Sequence, residues 1–339
     1  MFLFTHSKEV TMKNNNKTLR TLGCLLLLGC SVLQAQAATT LRFGFAGSDS
    51  DTQSLAAKEF AQRVKDGSNG ELVVRAYGNS MLGNDQAMIA GVRGGTIDME
   101  MSGTPNFSGL TPSMSVLDLP FVFADSAHAY RVLDGEIGQQ LLDGLAEHNL
   151  KGLAYWEVGF RDITNSRKPV RVPEDVKGLK IRTSSNPAQI EAFRLLGANP
   201  QPLPLAELYN ALEMKAVDAQ EHPLSITWSS GFYEVQKYLS QTHHAYTALV
   251  LVMNKQKFDA LPAEQQKLLV DAARAAGQAQ RRMNAENDSK YLAELAEKGM
   301  QIEPNVDREA FRQAVSQPVR DTFIKQHGSQ LLDAIDALR

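Results

Sequence analysis

Apolar residues alternate with polar ones in "TLRFGFA" (Thr40–Ala46), the pattern of a half-buried strand, and the polar loop Gly47-Ser48-Asp49-Ser50-Asp51 follows it. The next stretch, "TQSLAAKEFAQRVKDGS", puts Leu55, Phe60 and Val64 close to helical spacing and predicts an amphipathic helix. Asn69-Gly70 turns the chain into a second strand, "ELVVRAY". The same alternation returns at once: "NDQAMIAGVRGG" predicts a helix ended by glycines, and "TIDMEMSG" a short strand opening into a loop. In the second half "KGLAYWEVG" and "KGLKIRT" predict strands, and "NPAQIEAFRLLG" and "PLAELYNALEMK" predict helices. "AVDAQEHP" reads as a strand running into a loop, and "YLSQTHHAYTALVLVMN" holds two β-rich pieces, around Tyr238–His244 and Thr247–Asn254.

Strand and helix alternating in this way predict an α/β fold, with a mostly parallel sheet flanked by helices. Ligands of such sheets sit beyond the carboxyl ends of the strands, so the loops after Ala46 and Met101 are the places to look. Between Pro262 and Met300 only Gly277 and Gly299 interrupt a helical pattern, and Leu268, Leu269, Ala272, Ala276 and Met283 recur on one face. Such a helix is about 50 Å long at 1.5 Å per residue. That exceeds the need of one small domain, so it is expected to span two. No internal repeat or flexible linker is visible, which leaves strand crossovers as the junctions.

The N-terminus changes the picture of where the chain works. Lys13, Lys17 and Arg20 precede "LGCLLLLGCSVL" (Leu22–Leu33), an apolar run shorter than the roughly 20 residues that span a bilayer. It ends at Ala35-Gln36-Ala37, and the pattern predicts a secretory signal over 1–37, cleaved before Ala38, with Met12 as an alternative start. The rival is a lipoprotein box at Leu27–Cys30 that would leave Cys30 acylated, but leucine directly before the glycine fits it poorly. Both cysteines, Cys24 and Cys30, fall inside this segment, so the expected mature chain has no disulfide and no thiolate site. Its balance is 31 Lys and Arg against 37 Asp and Glu, a net −6, once four basic residues and one acid are removed. Nucleic acid, which needs a basic face, is a poor partner for such a chain.

The densest chemistry lies in "DAQEHP" (Asp218–Pro223), with two carboxylates, an amide and an imidazole in six residues. It could be an acid–base cluster, half of a metal site or the polar wall of a pocket. Catalysis finds little support: there is no Gly-x-Ser-x-Gly elbow, and the pairs Glu157/Asp162 and Asp218/Glu221 assign no acid and no base by their spacing. Metal is weaker still, since His243 and His244 are strand neighbours pointing to opposite faces and His222 has no partner four residues on. Gly91, Gly94 and Gly95 match neither a dinucleotide fingerprint nor a P-loop, and no cofactor is expected. Binding is better supported. Arg161 follows the "YWEVGF" strand and Arg182 follows "KGLKI", and a guanidinium offers a planar fork that fits a carboxylate.

The motifs around these arginines come in a characteristic order: an arginine followed by "TNS", then "KGLKIR", "GANP", "E-x-Y-x-ALE" and "VDAQE-x-P". With "LGNDQAMIAGVRGGTIDMEMSG" upstream and "FYEVQKYLSQTHHAY" downstream, essentially all of the expected mature chain resembles the DctP-type solute-binding proteins of tripartite ATP-independent periplasmic (TRAP) transporters. The resemblance implies a two-lobed fold with a central cleft, lobe I from 38–158 plus 248–287 and lobe II from 159–247 plus 288–339, with the long helix spanning both. It implies a monomeric periplasmic receptor that is not an enzyme and delivers a small organic acid to the membrane permease subunits. A sugar-derived carboxylate, 2,3-diketo-L-gulonate, is the first expectation, and a C4-dicarboxylate or uronate the alternative. A periplasmic lyase or isomerase working through His222 is the rival from another class.

Carried over by position, Arg182 matches the family's carboxylate-binding arginine and Arg161 a second arginine beside the ligand. His222 stands where most members have asparagine, and an imidazole can donate, accept or change charge near neutral pH. Leu205 lies where some members place an aromatic ring, and Gly103 replaces a possible acid. Asp49, Asp85, Asn106 and Ser185 fall in loops that line the cleft in related proteins. Glu221 is expected to be structural, paired with an arginine.

Overall fold

The computed structural model describes residues 38–339, so the expected signal sequence over 1–37 lies outside the described residues. The first strand, β1 (Thr39–Phe45), buries Leu41, Phe43 and Phe45. Helix α1 (Thr52–Gly67) begins where Asp51 accepts a hydrogen bond from the Gln53 N–H, as an N-cap should. Asn69 and Gly70, at φ 51° and 83°, then turn the chain into β2 (Leu72–Tyr77). Helix α2 (Asp85–Gly94) is capped by Asn84 and closed by left-handed Gly95 before β3 (Met99–Gly103). Two short helices, α3 (Ser126–Leu133) and α4 (Glu136–Gly144), lead into β4 (Leu150–Asn165).

The second half runs β5 (Lys180–Thr183), α5 (Pro187–Leu195), β6 (Asn199–Pro202), α6 (Leu205–Glu213), β7 (Ala219–His222) and α7 (Leu224–Ser229). After β8 (Tyr238–Asn254) and the single turn α8 (Lys255–Asp259) comes the long α9 (Ala263–Glu297). The chain ends in β9 (Gln301–Glu303), α10 (Arg308–His327) and α11 (Gln330–Asp336).

The nine strands of the described residues form one sheet in the order β2-β1-β3-β8-β4-β7-β5-β6, with β9 added beside β8. Its two ends are parallel, but β3–β8, β8–β4 and β4–β7 pair antiparallel, so the sheet is mixed where the sequence pattern suggests a mostly parallel one. The reason is that β4 and β8, of 16 and 17 residues, each cross the whole centre as one strand. Bulges between Glu157 and Gly159 and between Arg161 and Ile163 break the two-residue period of β4, and His243 at φ 44° interrupts that of β8. The predicted strand "KGLAYWEVG" stops at Gly159, at the first of these bulges, and the first β-rich piece of β8 stops at His244, beside the left-handed His243. Arg161 therefore sits inside β4 and not in a loop after it. The edge strand β6 carries Pro200 and Pro202, which a central strand would not tolerate.

Helix α9 is continuous over 35 residues, about 52 Å. Gly277 does not break it; it lets the helix lie on β4, because a Cβ there would come 2.5 Å from Trp156 Cδ1 and 2.9 Å from the Tyr155 carbonyl. The Trp156 indole donates to the Ala273 carbonyl at 2.8 Å across this contact. Leu269, Ala272 and Ala276 are buried as the spacing predicts, whereas Leu268 and Met283 are only half-buried. Polar residues complete the face instead. Gln280 donates to the Glu157 carbonyl at 2.7 Å and accepts from its N–H at 2.9 Å, and Asn284 donates to Glu157 Oε1 at 3.1 Å. Tyr130 and Tyr246 donate to Glu157 Oε2 at 2.7 and 2.8 Å, so this buried carboxylate is fully satisfied.

Gly277→Ala is expected to destabilise the protein by about 1–3 kcal/mol through overpacking against Trp156. Urea unfolding reads this directly, and an unchanged midpoint would mean that the helix–sheet contact yields at no cost.

Candidate functional site

The ends of β1 and β3, the first turn of α2, the middle of β4 and β8, Arg182 of β5 and the last residue of β7 surround a cavity of about 220 Å³. Ala46 and Gly47 line it after β1, and Met101 to Gly103 line it from β3, the two loops that the strand pattern singles out. Of the candidate residues, Arg161, Arg182, His222, Asp85, Asn106 and Ser185 all line this one cavity, as do Gly103 and Leu205. Asp49 does not: it is exposed on the loop, while Asp51, two residues on, is the buried carboxylate that caps α1.

Arg161 and Arg182 differ in their electrostatic standing. Arg161 is 3% exposed, and its Nε and Nη2 grip the carboxylate of Glu221, which is fully buried. Its Nη1 donates to Thr247 Oγ1 at 2.9 Å. Burial pushes the Glu221 carboxyl up, but the Arg161 guanidinium and the His244 ring outweigh it and hold it at about 2. The pair is thus neutral as a unit. His243 pairs with Asp162 at 2.9 Å and His244 with Glu221 at 3.2 Å, so the two adjacent histidines serve different carboxylates.

Arg182 is 4% exposed and pairs with no carboxylate among the described residues. Its Nε and Nη2 donate to the Leu203 carbonyl at 2.9 and 2.6 Å, and its Nη1 lies 3.4 Å from His222 Nε2. Parallel pairing of Thr183 with Pro202 brings Leu203 to this position. Burial lowers the Arg182 guanidinium to about 10, still charged at neutral pH. The cluster of Arg161, Glu221 and Arg182 therefore carries one net positive charge. What remains of the Arg182 fork, its Nη1 and the second Nη2 hydrogen, is left for the cavity.

On the other side of the cavity Asp85 opens α2. Burial raises its carboxyl to about 6, with the field of Arg182 and a hydrogen bond from Asn106 acting the other way. Glu100 on β3 is fully buried, and burial keeps it well above the usual carboxylate range.

Asp118 is a residue that sequence reasoning misses. Its carboxyl oxygens accept from Thr104 Oγ1 at 2.5 Å and from Asn186 Nδ2 at 2.9 Å. It thereby holds the segment carrying Asn106 beside the segment carrying Ser185, and burial lifts it to about 8. Its signal was present in "SVLDLP", an acid embedded in an apolar run. Thr247 had no comparable signal. "DAQEHP" resolves into β7, where Ala219 to His222 are all buried and alternation sets Gln220 and His222 on one face and Glu221 on the other.

One sheet crossed by two long strands, with a buried guanidinium in its cleft that no carboxylate among the described residues pairs with directly, is the design of a two-lobed receptor for small organic acids. Residues 43–326 match the bacterial extracellular solute-binding proteins of family 7 (DctP), and the chain belongs to this family as the solute-binding component of a TRAP transporter. It is 51% identical over 305 residues to the 2,3-diketo-L-gulonate-binding periplasmic protein YiaO of Escherichia coli K12, covering 89% of this chain and 93% of that one. A TRAP periplasmic solute-binding protein from Polaromonas sp. JS666, bound to D-erythronate, superposes with a TM-score of 0.86 at 35% identity, over 88% of this chain and 98% of that one. The sugar acid binding protein DctPAm of Advenella mimigardefordensis, in complex with galactonate, gives 0.85 at 35% identity, over 89% and 99%. The resemblance carried by the ordered motifs thus holds, as does the two-lobed α/β fold it implies. The family consists of receptors, periplasmic in bacteria, that bind small organic acids and work with TRAP membrane permeases.

Glu221→Gln would leave the Arg161 charge buried without its partner, and is expected to cost about 3–5 kcal/mol at pH 7. The Glu221 carboxyl is held below its unfolded value, so its contribution is complete above about 4.5 and is lost as the pH falls toward about 2. Denaturant unfolding of the two proteins should show a gap that narrows over that range; a gap constant with pH would remove Glu221 as its source.

Proposed function

We propose that the protein binds a sugar-derived monocarboxylate, 2,3-diketo-L-gulonate first, between two lobes and hands it to the TRAP membrane permease. The lobes are 38–158 with 248–287 and 159–247 with 288–339. The observation that carries this reading is the buried Arg182 guanidinium, which lacks a carboxylate partner beside an arginine that has one. A ligand carboxylate completes the charge balance, with Arg161 behind it and Asn106, Ser185 and Asp85 meeting its hydroxyl groups. Contacts from both lobes favour the closed form through their differential affinity for it.

One acid group is favoured over two. Asp85 faces the same cavity, and a second ligand carboxylate would lie against it, which weighs against a C4-dicarboxylate. We read the site as a receptor and not as a lyase or isomerase. A general base must take up a proton, and His222 is held well below its usual range by burial and then by the charges of Arg161 and Arg182. The protein acts in the periplasm as a monomer, its signal sequence cleaved near Ala37 and Ala38.

Arg182→Ala is expected to weaken binding of 2,3-diketo-L-gulonate by at least about 3 kcal/mol, within the about 2–5 kcal/mol typical of truncating a desolvated charge pair. Isothermal calorimetry with near-normal affinity in that variant would refute the anchor role.

A pH dependence follows from Asp85. Its carboxyl, raised to about 6, faces Arg182 and buried Glu100, and in its ionised form it repels the incoming anion. Affinity should therefore rise as the pH falls through about 6 and should do so less in Asp85→Asn; identical pH profiles for the two proteins would exclude Asp85 as the cause.

A further inference from the structure

We infer that His222 meets the ligand as a hydrogen-bond acceptor through Nε2, so that the site selects acids bearing a hydroxyl on the carbon next to the carboxylate. The inference rests on the Arg182–carboxylate reading and deepens it. It follows from a chain of buried side chains whose hydrogen directions are set at the far end by main-chain carbonyls.

Gln236 Nε2 lies 3.1 Å from the Val235 carbonyl, with the Asp218 carbonyl at a longer 3.4 Å, and carbonyls only accept. The amide NH₂ must point there, which turns Gln236 Oε1 toward the Thr164 hydroxyl at 3.1 Å. Thr164 has thus spent its one hydrogen, and its oxygen accepts from Gln220 Nε2 at 2.8 Å. Gln220 Oε1 is left facing His222 Nδ1 at 2.5 Å. Two acceptors cannot share that contact, so Nδ1 carries the ring hydrogen. In a neutral imidazole the other nitrogen is then an acceptor. Thr164, Gln220, Gln236 and His222 are all buried, so solvent does not re-sort these directions. Burial and the two guanidinium charges oppose a second proton on the ring.

The free lone pair on Nε2 belongs to the cavity. Its one protein neighbour there, Arg182 Nη1, is 3.4 Å away, longer than a good hydrogen bond. With a carboxylate on the Arg182 fork, the ligand group within reach of Nε2 is the substituent on its C2. A hydroxyl there donates to the ring. A bare ketone oxygen would set two acceptors face to face and leave both unsatisfied. A 2-keto acid would accordingly be taken as its hydrate or cyclic hemiketal, in which water or a chain hydroxyl has added across the C2 carbonyl and left an O–H on that carbon.

The test has two arms on the whole protein. With ¹⁵N-labelled histidine, the His222 signal at pH 7, assigned by its loss in His222→Phe, is expected to show a protonated Nδ1 and a bare Nε2. An Nε2–H signal or an imidazolium overturns the inference without any ligand present. In the second arm galactonate and 2-deoxy-2-fluorogalactonate, which differ in a C2 group that can or cannot donate, are compared by calorimetry. The fluoro acid is expected to bind about 10-fold or more weakly, and most of that discrimination should vanish in His222→Phe; equal affinities in the wild-type protein overturn the inference. Undiminished galactonate binding by Arg182→Ala would instead strike the carboxylate reading beneath it, and would leave the tautomer result as it stands.

Discussion

Two guanidinium groups are buried in one cleft, and a single carboxylate, Glu221, pairs with one of them. Removing both charges from water is costly unless each finds a partner, so the protein must either supply a second anion or leave the place for one to come from outside. Arg161 has been given Glu221, a contact to Thr247 and the shelter of β4. Arg182 has been given the Leu203 carbonyl, which satisfies hydrogens without cancelling charge, and beyond that the field of Asp85 across the cavity. That asymmetry orders the rest of the site. It sets the sign and number of charges that can enter, and it explains why Glu221, the more conspicuous acid of "DAQEHP", belongs to the scaffold while the histidine beside it lines the cavity.

The asymmetry depends on the frame. Arg161 reaches Glu221 because β4 continues past a bulge into antiparallel pairing with β7, and that bulge is fixed from behind by Gln280 and Asn284 of α9 holding the backbone and carboxylate of Glu157. Gly277, one turn earlier on the same helix, is what allows the approach. On the cavity side Asp118 ties the Thr104 and Asn186 segments together, so the loops that line the cavity are set by a buried polar bond and not by their own sequences. Polar contacts, each satisfied, thus do the positioning that apolar packing alone would leave loose.

Much of this was legible in the chain before any coordinates. The strand and helix alternation placed the first three strands, α1, α2, α5 and α6, and Asn69-Gly70 and Gly95 behaved as their backbone freedom demands. The family motifs brought six of the seven candidate residues to one cavity. What failed did so for physical reasons. The bulges of β4 and the left-handed His243 in β8 disguised two continuous strands as fragments, because a period-two pattern cannot survive an inserted residue. On α9 Leu268 and Met283 pack on the predicted face but are only half-buried, while Gln280 and Asn284 of the same helix are buried for their hydrogen bonds, which a hydrophobic stripe does not register. Asp49 lies outside the cavity lining, and in a loop with two aspartates spacing gives no reason to prefer Asp51, which is consumed in capping α1.

The histidine of β7 shows how such a frame can turn geometry into selectivity. A side chain there with no fixed neighbour would be free to turn, offering a donor to one ligand and an acceptor to another, and its preference would belong to the ligand. His222 has no such freedom, because Gln220, Thr164 and Gln236 hand a hydrogen direction from the main chain to the ring one bond at a time. Each of these residues is remote from the cavity or turned away from it, yet any one of them, replaced by a side chain with the opposite donor pattern, would reverse the face that the imidazole presents. Charge in this site is set by what Arg182 lacks, and hydrogen-bond polarity by what His222 is given; the first admits an acid, and the second asks what stands on the carbon beside it.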